Sequence, residues 1–131
     1  MEVTIIASKG APTPAGMIAT KEAWITVIFN DRIVVDQGEV IAKFSLHGES
    51  RTYFRFDAEL REKDNYLSVQ NLTKSTGPIR IHAFGCATLL SKNWKVAHVD
   101  GEEIHNIFDS WTNIENLKPG STVIWNLDNL I

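Results

Sequence analysis

Residues Arg51-Thr52-Tyr53-Phe54-Arg55-Phe56-Asp57, RTYFRFD, alternate in character one residue at a time. A period of two marks a strand with one wet and one buried face, and aromatic and β-branched residues suit a pleated surface. Thr52, Phe54 and Phe56 are therefore expected in a core. That places Arg51, Tyr53 and Arg55 outside. The same period predicts strands at Val3–Ala7, Trp24–Phe29, Arg32–Asp36, Val40–His47, Tyr66–Leu72, Ile79–Phe84, Ala87–Leu90, Trp94–Val99 and Thr122–Leu127.

Turn signals separate these runs. Asn30-Asp31 reads as a tight hairpin turn, and Gly38, Gly48-Glu49-Ser50, Arg61–Asn65, Thr73–Pro78 and Lys118-Pro119-Gly120 as further turns or loops. Ser8–Gly16, SKGAPTPAG, reads as a Pro/Gly-rich loop or arm. Asp100-Gly101-Glu102-Glu103 resembles a capping box, and Ile104, Ile107, Phe108 and Trp111 follow at helical spacing. The expectation is a single domain over residues 1–131: a mainly β, antiparallel β-sandwich (jelly-roll-like) or barrel of about eight strands, with one short helix near residues 101–111.

The chain has 131 residues, 44% hydrophobic and 22% charged, the composition of a globular domain with one core. A net charge of −3 argues against a general nucleic-acid binder. No run of about 20 apolar residues spans a bilayer, and no basic start followed by an apolar run marks a signal peptide. Synthesis in the cytoplasm without signal-directed export is expected, for a chain that serves in a virion on the reading favoured below. The single cysteine, Cys86, makes no internal disulfide and reads as a small buried hydrophobe. Asn71-Leu72-Thr73 fits a glycosylation acceptor, read here as chance.

Charge is segregated along the chain. Asn65 to Val99 holds no acid but contains Lys74, Arg80, Lys92 and Lys95; from Asp100 onward six acids face Lys118 alone. These segments either neutralise one another within the fold or form opposite faces that meet between subunits.

If Val40–His47 and Arg51–Leu60 form a hairpin through Gly48-Glu49-Ser50, His47 faces Arg51, Ser45 faces Tyr53 and Lys43 faces Arg55. The Lys43–Arg55 pair is a like-charge contact that costs up to about 1 kcal/mol. An acid of the same chain, an acidic partner face or an anionic ligand would offset it. Lys43, His47, Arg51, Tyr53 and Arg55 are therefore the expected binding surface.

A metal site from His98, Glu102 and His105 is the weaker alternative, because the Glu-x-x-His spacing occurs there once. No nucleophile elbow or phosphate loop is present, and no cofactor is expected. Trp24, Trp94, Trp111 and Trp125 read as packing residues. The function these features favour is a non-enzymatic assembly protein. It would be a homo-oligomer or a subunit of a larger particle, such as a viral or phage capsid-decoration or tail protein. A lectin-like module binding carbohydrate or another ligand is the alternative, and a metal-dependent enzyme the second.

Overall fold

The computed structural model describes residues 2–9, 23–40, 44–45, 48–49, 51–72, 79–85, 96–105 and 111–127. They form β1 (Glu2–Lys9), β2 (Ala23–Phe29), β3 (Arg32–Val40), β4 (Phe44–Ser45), β5 (Gly48–Glu49), β6 (Arg51–Asp57), β7 (Tyr66–Asn71), β8 (Ile79–Gly85), β9 (Val96–Val99), β10 (Glu102–His105), β11 (Trp111–Leu117) and β12 (Thr122–Asn126). A four-stranded sheet runs β11-β8-β1-β6, and a six-stranded sheet runs β10-β9-β12-β7-β2-β3. A two-stranded ribbon pairs β4 with β5. All pairings are antiparallel.

One core joins the two sheets. Val3, Ile5 and Ala7 of β1 and Ile79, Ile81 and Ala83 of β8 meet Ile25 and Val27 of β2, Leu67 and Val69 of β7, and Val123 and Trp125 of β12. Each set alternates with residues on the outer face, so the period of two in the sequence becomes the two faces of a sandwich. Near one edge, Phe29 of β2 and Phe56 of β6 bridge the sheets with ring centroids 6.1 Å apart. The connections β1–β8 and β2–β7 are nested pairs of strands distant in sequence, which gives the sandwich its jelly-roll-like character.

Several expectations are corrected. The sheets do not close into a barrel, and no helix occurs among the described residues. The stretch expected to be helical begins instead as β10, paired with β9 in the register Glu102↔Val99 to His105↔Val96. The cause is Asp100-Gly101, whose φ angles of 50° and 86° match the two positive-φ positions of a type I′ hairpin turn. The Asp100 carboxylate caps no helix. It accepts a 3.0 Å hydrogen bond from the backbone N–H of Thr122 on the neighbouring strand. Ile107 and Phe108 lie outside the described residues. β11 then occupies Trp111–Leu117, where no strand was expected, and a bulge between Ile114 and Leu117 disturbs its alternation.

The expected hairpin between Val40–His47 and Arg51–Leu60 is also replaced. β6 pairs with β1, in the register Glu2↔Asp57 to Ser8↔Arg51, and Phe44-Ser45 pairs with Gly48-Glu49. Gly38 lies inside β3 rather than at a turn. Ser8 and Lys9 extend β1, so the expected loop loses its first two residues to the sheet, and its remainder lies outside the described residues. So does Ala87–Leu90. The Asn30-Asp31 turn is as expected: φ angles of 48° and 66° join β2 to β3.

Candidate binding surface on the four-stranded sheet

Register places the chemistry. On the outer face of this sheet, Arg51 of β6 lies opposite Ser8 of β1, which lies opposite Arg80 of β8. The next row runs Tyr53, Ile6, His82 and Asn113. Arg55 opposite Thr4 begins a third. Four strands distant in sequence thus contribute to one surface. Glu2 and Asp57 stand opposite each other at its far end.

Arg51, Tyr53 and Arg55 are exposed, with Tyr53 50% accessible. The Arg55 guanidinium lies 5.4 Å from the centre of the Tyr53 ring, a cation–π contact between side chains of one strand face. Among the described residues neither Arg51 nor Arg55 makes an ion pair. Arg61 differs: its guanidinium lies 3.9 Å from Asp31 and donates to the Asp64 carbonyl.

A pocket of about 230 Å³ opens on this face, lined by Ile6, Ser8, Arg51, Arg80, His82 and Asn113. Ser8 is almost wholly buried at its wall. Burial, reinforced by the Arg51 guanidinium, lowers the His82 pKa below the ordinary imidazole value. The pocket is therefore polar and cationic, with its imidazole held neutral near pH 7.

Of the expected surface, Arg51, Tyr53 and Arg55 are brought together on one strand face. Lys43 and His47 lie outside the described residues, and so does the expected Lys43–Arg55 contact. On the side of β1, Arg55 lies opposite Thr4. The sequence reading missed Ser8, Arg80, His82 and Asn113. Their one signal was alternation within their own strands, which gives a face but not a neighbour.

The expected metal trio is split. His98 faces Glu103 across the β9–β10 hairpin, and Glu103 in turn lies 3.2 Å from His105 Nε2, whereas Glu102 stands on the other face of β10. Among the described residues no group of three or more His, Cys, Asp and Glu is placed to share a metal ion. Also among them, no helix is long and apolar enough to cross a membrane. Cys86 and Trp94 lie outside them. Trp125 is fully buried in the core, and Trp24 is half-buried on β2. Asn71 is fully buried, which removes it as a glycosylation acceptor in the folded chain.

No family model, curated protein or solved structure matches this chain. The antiparallel two-sheet fold is consistent with a structural or binding module, and its surface chemistry carries the functional reading.

Proposed function

We propose that the chain is a non-enzymatic assembly subunit in which the arginine-bearing face of one copy meets the acidic β9–β10 edge of the next. The observation that carries this reading is the exposed pair Arg51 and Arg55, neither ion-paired among the described residues. Their strand is the edge of the four-stranded sheet that packs by Phe54 against Gly38 of β3. The acids Glu102 and Glu103 are exposed on β10, at the other end of the six-stranded sheet from β3. The two charges therefore occupy opposite edges of one molecule, where they do not neutralise each other.

Each surface also carries an exposed apolar residue. Tyr53 stands between the arginines, and Ile104, 37% accessible, shares the face of β10 that carries Glu102. Association would bury these groups, while the charges would fix register and exclude like faces. A contact between two different patches is heterologous, so it closes into rings or grows into filaments. An accessory subunit of a virus or phage particle, decorating a capsid or building a tail, is the setting we propose for such a contact.

Light scattering over a range of protein concentration and salt tests the reading. The expected result is a concentration-dependent oligomer at low salt that weakens as salt screens the contact. Arg51→Glu with Arg55→Glu should abolish it, and mixing that variant with Glu102→Arg/Glu103→Arg should restore a mixed assembly. A wild-type chain that stays monomeric at high concentration and low salt would refute it.

A further inference from the structure

We propose that the pocket between β1, β6, β8 and β11 is a binding site for a small oxyanion, a carboxylate or phosphate group on a carrier no larger than a monosaccharide. The site shares Arg51 with the proposed assembly face but does not depend on assembly.

Its construction points to that ligand class. Arg51 and Arg80 flank Ser8 in one cross-strand row, so their backbones stand two strand spacings apart, about 10 Å. Both guanidiniums line the same opening. Planar guanidinium forks bind carboxylate and phosphate oxygens in pairs and keep their charge at every accessible pH. The Ser8 hydroxyl, in a residue only 3% exposed, and the Asn113 carboxamide add neutral hydrogen-bonding groups at the wall. Ile6 supplies the apolar part of the lining. No acid is among the lining residues described. At the same wall, burial first and the Arg51 charge second disfavour protonation of His82.

The cavity of about 230 Å³ admits inorganic phosphate or a single acidic sugar. The exposed Tyr53, opposite the lining residue Ile6 in the next row, offers a flat carrier an aromatic surface.

The test is calorimetry and NMR on the full chain with three probes: inorganic phosphate, glucuronate and, as a neutral control, glucose. At least one of the two anions should bind and move the His82 imidazole resonances, while glucose should not. Binding of phosphate alone assigns the tetrahedral anion, and binding of glucuronate alone assigns the carboxylate. Arg80→Met should weaken binding at least tenfold. Arg51→Met, at an exposed position that tolerates substitution, should do the same if the Arg80 variant fails to fold. The proposal is overturned if neither anion moves the His82 resonances at tens of millimolar, or if a folded Arg51→Met chain binds as the wild type does. Each measurement is made on monomeric protein at low concentration, so a failure here leaves the assembly reading standing, and the reverse also holds.

Discussion

A hydrogen atom in place of a side chain lets the two sheets meet at Gly38. A Cβ built there would lie 2.6 Å from Phe54 Cε1 and 2.6 Å from Val35 Cγ1. Neither neighbour yields easily, since one is an aromatic ring on β6 and the other a β-branched side chain with a stiff χ1. Gly38→Ala should therefore destabilise the fold by ~1–3 kcal/mol, the usual cost of overpacking. Urea denaturation measures it, and a Phe54→Leu background should reduce the penalty by making space. A second residue-scale effect concerns His82, whose pKa is lowered in the fold by burial and then by Arg51. Below the ordinary imidazole value of 6.5 the unfolded chain gains a proton that the folded chain resists. Stability should thus fall as pH drops through that value and stop falling below the folded pKa. His82→Gln should flatten this limb, read as melting temperature between pH 7.5 and 5. Asp100 acts in a separate, more acidic window. A hydrogen bond from the Ser121 side chain, helped by the Thr122 backbone N–H, lowers its pKa, so its contribution is present above the ordinary carboxylate value and is lost on further acidification.

The β9–β10 hairpin shows how turn chemistry overrides periodicity within an element. Every residue from Glu102 to His105 is exposed, so packing does little to hold β10 and its turn does more. Gly101, at φ 86°, occupies backbone space that a side chain disfavours by about 1–2 kcal/mol. Gly101→Ala should open β10 locally. Hydrogen exchange should accelerate at the amides paired between β9 and β10, while global stability changes little because Ile104 stays outside the core. The same element marks a limit of the sequence reading. Apolar residues at helical spacing from Ile104 to Trp111 outweighed an Asp-Gly pair that is itself a strong hairpin signal. Alternation made β1, β2, β6, β7, β8 and β12 legible, because each has one face in the core. β11 was hidden by its bulge. The pairing of β6 with β1 was hidden because alternation says which way a side chain points and nothing about which strand lies alongside. For that reason the candidate site was half legible: Arg51, Tyr53 and Arg55 share one strand, whereas Ser8, Arg80, His82 and Asn113 reach them only through tertiary register.

At the scale of the molecule, the sandwich is held by its shared apolar interior and by polar ties at its ends. One tie joins turn to turn: Asn65 accepts from Asn30 Nδ2 at 2.9 Å and from the Arg61 N–H at 3.0 Å, and donates to the Arg61 carbonyl at 2.9 Å. Asn30 in turn accepts from the Tyr66 N–H at 2.8 Å, which fixes the 61–65 segment against the β2–β3 hairpin. Another tie crosses between sheets. Asn71, the last residue of β7 and fully buried, donates from Nδ2 to the Leu117 carbonyl at the end of β11, 2.8 Å away. Its backbone carbonyl also accepts from the Gly120 N–H, and its N–H donates to Ser121, so the 118–121 turn closes over it. The hydrophobic core sets how strongly the sheets adhere but is non-directional. A hydrogen bond between the sheets fixes their relative position, and with it the place of β11 and Asn113 beside the pocket. Asn71→Leu keeps a similar volume but strands the Leu117 carbonyl in an apolar setting. It should cost ~1–3 kcal/mol, the penalty for orphaning a buried acceptor. In denaturant titrations the midpoint should fall with an unchanged m value, because the surface exposed on unfolding stays the same. If the tie also positions β11, the Asn113 amide resonances should shift in this variant while those of Arg55, three strands away across the sheet, stay in place.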